Sequence, residues 1–583
     1  MVRNVLSIIA VAAFMVVAAD RYEAENAIVD ENSVVKVSDT NASGGVYISM
    51  KEGSLAFKVN AKSSGFYTVW AHYKQPNDKN GKIQNLSVNG SERGQISFPY
   101  AESFVLLKAS AKIKLSQGEN TVSITKSWGW VDIDFVEITP YVDTPFAISS
   151  SLVNKNASES AAKMYGFLLE NFQKKIVSGV MTNTVMQNDG RYTPNTYEDQ
   201  VELAWIKEKS GKLPALVGLD FMHGTGKNSD GEWYKGYTNA TVVLAQDVYR
   251  NGGIPAYCWH WKDPQKSVEA FYSPSSGNAT TTSFNLKNAF TDTNVCEVFN
   301  TQSAEYKAIV ADIDTVSMYL KSLADSGVAV LWRPLHEASG KWFWWGYAGA
   351  KPCVSLYRFL YERMTSYHKL NNLIWVWTTD ESGDALDWYP GDEYVDIIGR
   401  DYYYYPRVAN HGSLVASFEK IKDIYNGKKL IALSENGSVP HPDSLREDMA
   451  GWSYFMPWYG DYTMDGWAHD NTAEDWMSIM NNDYVITLDK MPGWSSYTVD
   501  VRYQSKNPLT RQAMLTVANG RLYLTADAEN YRAELFNVQG KKMLHTTINS
   551  YTSLDISTLV RGTYIVKISR SGSCIINERL LVR

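Results

Sequence analysis

Three hydrophobic rhythms divide the chain. Across residues 20–140, apolar and polar positions alternate in short runs. These stand at Leu55–Val59, Phe66–Tyr73, Gln84–Val88, Ala111–Leu115, Thr121–Thr125 and Val131–Ile138, with Gly, Asn and Ser between them. A period of two turns one strand face inward, and turn residues at this spacing predict a β-sandwich. Residues 147–494 carry a different pattern. Almost wholly apolar runs of strand length lie at Ile176–Val180, Ala215–Phe221, Ile254–Trp261, Val328–Leu335, Leu373–Thr378, Val395–Asp401, Lys429–Ser434 and Tyr454–Trp458. Helical patterns alternate with them at Ser158–Lys175, Tyr197–Lys209, Asn239–Asn251, Ala304–Ser326 and Ser355–Leu370. Strands apolar on both faces need a sheet covered on both sides. The alternation predicts a (β/α)8 TIM barrel, with a doubly wound open sheet as the second choice. Residues 505–583 return to strands. Arg532–Val538 and Lys541–Thr546 flank Gln539-Gly540 as a hairpin, and Tyr564–Ser569 and Ile575–Leu581 follow. They predict a small all-β domain.

The first nineteen residues stand apart. Arg3 supplies a charge, Val5 to Val17 is almost wholly apolar, and Val17-Ala18-Ala19 offers small residues for cleavage. This is the pattern of a secretory signal over residues 1–19. No later run reaches membrane-spanning length. The chain is therefore expected to be secreted or displayed at the cell surface, without a membrane span, and to act as a monomer.

Composition changes the picture in three ways. Formal net charge is -7, which argues against nucleic acid as the main partner. That charge is uneven: from Lys506 to Arg583 there are 11 Lys/Arg against 5 Asp/Glu, so the tail is basic and the remainder acidic. The chain also holds 19 Trp and 37 Tyr. Sugars present flat C–H faces to aromatic rings and hydroxyls to polar groups at the ring edges, and Trp and Tyr supply both. Aromatics also fill cores, so their placement has to decide between the two uses. The four cysteines, Cys258, Cys296, Cys353 and Cys574, have neither metal-binding nor redox spacing, and no essential disulfide is expected.

Barrel enzymes hold their chemistry at the C-terminal ends of the strands. The third strand ends in Trp259-His260-Trp261 and the fourth in Arg333-Pro334-Leu335-His336-Glu337, followed by Trp342-Phe343-Trp344-Trp345. The sixth ends in Arg400-Asp401-Tyr402-Tyr403, the seventh in Ser434-Glu435-Asn436-Gly437, and the eighth reaches Trp458. Glu337 and Glu435 thus terminate strands that face each other across a closed barrel. Cleaving a glycosidic bond needs an acid to protonate the leaving oxygen and a carboxylate opposite it. Like-charge repulsion from an ionised Glu435 is expected to keep Glu337 protonated. Other chemistries fit less well. His336-Glu337 could open a zinc-protease HExxH, but Gly340 stands where the second His belongs. Gly224-Thr225-Gly226-Lys227 lacks the spacing of a phosphate loop, and no GxSxG occurs. Either Tyr403 or Tyr402 could hydrogen-bond Glu435. At least one of the four aromatics from Trp342 to Trp345 is expected to form a sugar platform.

The run Arg333–Glu337 with Gly340–Gly346, and Ser434-Glu435-Asn436-Gly437 later, resembles glycoside hydrolase family 26. The resemblance covers about residues 147–494 and implies a retaining endo-β-1,4-mannanase. Carried onto this sequence, Glu337 is the acid/base and Glu435 the nucleophile. His260, His336, Trp342, Asp401, Tyr403 and Trp458 are substrate-binding positions. Residues 20–140, from Tyr22-Glu23-Ala24-Glu25-Asn26-Ala27 to Trp130–Ile138, resemble a family 35 carbohydrate-binding module. That likeness implies a structural calcium held by Glu23, Glu25 and Asp134, and suggests Trp128 as the sugar-contacting ring. Calcium takes hard oxygen ligands, which suits carboxylates. Residues 505–583 resemble the C-terminal sorting domains of the type IX secretion route, through Ala533–Lys542 and Leu559–Tyr564. The expected activity is retaining hydrolysis of mannan, glucomannan or galactomannan from plant cell walls, with no cofactor for catalysis. A β-1,3/1,4-glucanase or β-1,3-xylanase on the same barrel is the nearest alternative. A non-catalytic glycan-binding surface protein is the alternative of another class.

Overall fold

The computed structural model describes residues 20–497, apart from 30–33, 80 and 188–192, and the strands between residues 513 and 582. The expected signal segment, 1–19, lies outside the described residues. Among them, no helix is long and apolar enough to cross a membrane.

Residues 20–140 form two facing antiparallel sheets, one of six strands and one of five. Alternate residues point inward as the pattern predicts. In Ser54–Ala61, Leu55, Phe57, Val59 and Ala61 are buried while the residues between them are less so. Opposing side chains such as Ile48, Val69, Leu86, Ile124 and Val136 close the core. The first strand, Asp20–Glu23, pairs with the last, Val131–Pro140, which ties the chain start to the sandwich end.

In the barrel region, seven parallel strands pair in chain order: β1 (Gly179–Met181), β2 (Leu216–Asp220), β3 (Ile254–Cys258), β4 (Val330–Arg333), β5 (Leu373–Thr379), β6 (Ile397–Tyr402) and β7 (Leu430–Asn436). The eighth expected strand, Tyr454–Trp458, is present only as isolated bridges. Leu433 N donates to Tyr454 O (2.9 Å) and Trp458 N to Asn436 O (3.0 Å) on one side, while Met181 N donates to Pro457 O (3.0 Å) on the other. The segment therefore closes the barrel between β7 and β1. Pro457 has no N–H to donate, which interrupts a regular ladder there. Gly179 is required at this seam, because a Cβ on it would lie 2.5 Å from Phe455 O.

Helices cover the outside: α1 (Glu159–Asn171), α2 (Val201–Ser210), α3 (Glu232–Arg250), α4 (Ala304–Asp325), α5 (Ala350–Glu362), α6 (Val415–Ile424), α7 (Pro442–Asp448) and α8 (Ala473–Met480). Their starts follow capping chemistry. Ser158 accepts from Ala161 N (3.2 Å) and Ser303 from Tyr306 N (3.1 Å). The first helix stops short of the expected Lys175, because Gln173 takes a left-handed φ of 62°. Cys258, Cys296 and Cys353 are buried and free.

The sandwich and the barrel form one compact unit ending at Asp500. The strands Ser91–Phe98 and Ala101–Leu115 lie against α6 and α7. Lys112 is buried between Glu419 Oε1 (3.3 Å) and the Met449 carbonyl (3.2 Å). The Tyr141 hydroxyl donates to the other Glu419 oxygen at 2.9 Å, and Arg93 pairs with Asp448 at 3.1 Å. The second unit, residues 501–583, holds a three-stranded and a four-stranded antiparallel sheet around Leu522, Leu535, Val566 and Ile568. Its hairpin joins Tyr531–Asn537 to Lys542–Ile548, near Gly540 at φ 81°.

Candidate active site

Three carboxylates meet at the C-terminal mouth of the barrel. One oxygen each from Glu337, Asp401 and Glu435 lies within 4.8 Å of the others. The strand pairing explains how. At the end of β6 the register against β7 slips by one residue, so Asp401 stands beside Glu435. Ser434, the extra residue, donates from its hydroxyl to Asp401 Oδ1 at 2.6 Å. Gly399 makes room for it: a Cβ there would come within 2.3 Å of the Ser434 hydroxyl.

Arg333, at the end of β4, is the fixed cation among these acids. Its guanidinium donates to Asp401 Oδ2 and Thr378 Oγ1, at 2.8 and 3.1 Å, and pairs with Glu435 Oε1. The Tyr403 hydroxyl donates to Glu435 Oε2 at 3.0 Å. Tyr402, its competitor in the sequence, instead reaches Gln95 of the sandwich at 3.4 Å. Both Asp401 oxygens are engaged by Arg333 and Ser434, which makes Asp401 a support for the cluster.

Glu337 sits on a strained turn. Leu335 and Glu337 both take left-handed backbone with φ 53°, a conformation costing about 1–3 kcal/mol per non-glycine residue. Trp345 holds the turn by donating from its indole to the His336 carbonyl at 2.9 Å. The indole of Trp342 donates to Glu337 Oε2 at 3.1 Å, and the Trp342 ring folds over Gly340. A Cβ at position 340 would lie 1.9 Å from that ring, so a side chain there would displace the donor. Of the four aromatics after β4, only Trp342 is exposed, at 38 %. Phe343, Trp344 and Trp345 are buried, with the Phe343 and Trp345 rings stacked at 4.4 Å.

The histidines form a chain. His260 Nδ1 is 2.6 Å from Asp220 Oδ2, and its Nε2 is 3.3 Å from His336 Nε2. His336 is buried, its Nδ1 has no hydrogen-bond partner, and burial holds its imidazole well below the usual range. Trp458 is partly buried, its ring 5.8 Å from His260.

Burial is the largest cause raising the Glu337 carboxyl well above the ordinary range. The charges of Asp401 and then Glu435 follow, with Arg333 and the Trp342 donor opposing them. Desolvation therefore outweighs the like-charge repulsion the sequence suggested. Burial and Asp401 also push Glu435 up to about 7, against the pull of Arg333. Such carboxylates titrate as a group. Glu435 has an ion pair and a hydroxyl donor, both of which favour its charged form. Glu337 has one indole donor to set against its burial and the neighbouring charges, so its neutral form is the more favoured of the two.

In the sandwich, Glu23 Oε1 accepts from the Ser43 hydroxyl at 3.0 Å, while Glu23 Oε2 and Glu25 Oε2 are buried without a partner. Asp134 is fully buried but already committed. It accepts from Ser43 N at 2.9 Å and contacts His72 Nδ1 at 2.6 Å. Trp128 is 40 % exposed, with the Lys82 ammonium 4.0 Å from its ring centroid. Asp220, Arg333, Thr378 and Ser434 went unassigned from sequence. Arg333 and Ser434 stood inside the quoted strand ends, the one signal available for them.

Residues 153–490 match glycosyl hydrolase family 26, residues 20–141 match carbohydrate binding module family 35, and residues 516–583 match a secretion system C-terminal sorting domain. A mannan endo-1,4-beta-mannosidase of Thermothelomyces thermophilus is 32 % identical over 82 % of this chain and 91 % of its own length. The structure of a GH26-CBM35 β-(1,4)-mannanase of Podospora anserina is 31 % identical, with a TM-score of 0.53, covering 82 % of this chain and 99 % of that one. The structure of a β-mannanase from a symbiotic protist of the termite Reticulitermes speratus, complexed with gluco-manno-oligosaccharide, is 44 % identical. It covers 60 % of this chain and all of that one, with a TM-score of 0.53.

Proposed function

This chain belongs to glycosyl hydrolase family 26, and from that membership we propose how its residues divide the work. It is a retaining endo-β-1,4-mannanase, carrying a family 35 carbohydrate-binding module and a secretion sorting domain. One observation supports the assignment of roles: one carboxylate oxygen of Glu337 lies within 4.8 Å of one of Glu435, although the two residues follow different strands of the barrel. Retaining enzymes hold the pair about 5–5.5 Å apart, and inverting ones leave room for water at roughly 6.5–9.5 Å. Glu435 attacks the anomeric carbon while Glu337 protonates the departing oxygen. Glu337 then deprotonates the incoming water, which displaces Glu435 from the sugar. Arg333 and Tyr403 hold the Glu435 carboxylate in place. His336, supported by His260 and Asp220, offers a buried imidazole to a sugar hydroxyl, and Trp342 and Trp458 supply stacking faces.

We assign the working parts to residues 20–140, 147–494 and 505–583, after a signal of residues 1–19 that is removed on export. Trp128 is the proposed sugar-contacting ring of the module. The unpaired buried oxygens of Glu23 and Glu25 suit a calcium ion, with Asp134 holding Ser43 and His72 beside it. The ion would tie the chain start to the sandwich.

Glu435→Ala tests the roles. Mannan hydrolysis should fall by about four decades, a loss typical of removing a covalent nucleophile. Unchanged hydrolysis overturns the assignment. Parallel digests of glucomannan, lichenan and xylan measure how far the site accepts other backbones.

A further inference from the structure

We infer that the cleft between the sandwich and the barrel continues the substrate groove, so that both parts bind one neutral polysaccharide chain. The inference rests on the mannanase function above and extends its binding surface beyond the barrel. A module on a flexible tether would merely raise the local concentration of polymer. Here the module is fixed. Lys112 is buried against Glu419, and Lys108 pairs with Asp423 at 2.5 Å. Two walls held in this way can present a single binding site.

The cleft encloses about 740 Å³, within the range of ligand sites. Its barrel wall includes Ser339, Gly340 and Lys341, which begin two residues after Glu337. Its module wall includes Gln95, Ser97 and Tyr100. A smaller hollow of about 250 Å³ adjoins it, sharing Ile83 and Gln95 and flanked by Trp128 and Tyr405. Those two rings are 40 % and 70 % exposed. The two hollows share lining residues and between them reach from the turn after Glu337 to the exposed tryptophan of the module.

The lining chemistry points to a neutral sugar. Lys79, Lys341 and Arg400 balance Asp380, Glu381 and Asp384, so the cleft has no net charge to attract a polyanion. The lining combines serine hydroxyls, the Gln95 amide and carboxylates with the rings of Tyr100 and Tyr402, which serves the hydroxyls and C–H faces of a pyranose chain together.

The test uses the full-length enzyme with Tyr100→Ala from the module wall and, separately, Asp384→Ala from the barrel wall. Neither residue touches the catalytic pair. Removing binding that is equal in ground and transition states raises KM and leaves kcat unchanged. Each variant should raise KM for soluble linear mannan by roughly 3- to 10-fold, the scale of one lost ring or charged contact. Kinetics on a short manno-oligosaccharide should not move, which also shows that the variants fold. An unchanged KM for mannan in both variants overturns the inference and leaves the mannanase function standing. So does weakened binding to insoluble polymer without any change in KM for the soluble one. A parent enzyme that cleaves no mannan overturns the function and the inference together.

Discussion

Trp342→Phe should move the basic limb of the kcat/KM profile to higher pH. The substitution keeps an aromatic face for the sugar and removes the indole N–H that donates to Glu337 Oε2 at 3.1 Å. That donor stabilises the ionised carboxylate, and so lowers the pKa of Glu337. Without it the acid stays protonated further into the basic range. A hydrogen bond to a charged group contributes about 1.5–3 kcal/mol. Trp342 is 38 % exposed, and solvent screening cuts the value to about 0.7–1.4 kcal/mol. At 1.36 kcal/mol per unit, the limb should rise by about half to one pH unit. The assay is initial rate against pH on a short soluble manno-oligosaccharide, because kcat/KM reports the free enzyme. A basic limb that falls or stays still, or a shift confined to the acidic limb, refutes the pairing of Trp342 with the catalytic acid.

Arg333→Met leaves Asp401 and Glu435 buried beside each other without a cation. Stability should drop by about 3–5 kcal/mol in thermal unfolding, as for other broken buried pairs. The acidic limb should rise, because Arg333 lowers the pKa of a nucleophile that must be ionised. Lys112→Met removes the buried cation between module and barrel. Lys422 at 3.7 Å and the Tyr141 hydroxyl still serve Glu419, so calorimetry should show a smaller loss of about 1–3 kcal/mol. Calcium should raise the melting temperature of the full chain and chelation should reverse it, with a gain near 2.7 kcal/mol at about a hundred times Kd. Glu25→Ala should abolish that response, and a parent protein indifferent to both additions removes the calcium proposal.

Much of this protein is written locally. Period-two alternation in Leu55–Val59 and unbroken apolarity in Leu373–Trp377 need only the pleat of a strand and the side on which water lies. Glu337 and Glu435 were legible as candidates because each stands at or just after a barrel strand, but the left-handed turn beyond β4 and its Trp345 brace decide how Glu337 is aimed. What sequence could not supply depended on register and on neighbours distant in the chain. The one-residue slip that brings Asp401 beside Glu435 is a property of the β6–β7 pairing, permitted by the missing side chain of Gly399. Arg333 joins Glu435 across 102 positions, and no local pattern encodes that pair. The burial of Trp344 and Trp345, the choice of Tyr403 over Tyr402, and the docking of the sandwich on α6 and α7 were decided by packing. Each depends on which surfaces meet, and that is settled only when separate elements compete for the same space.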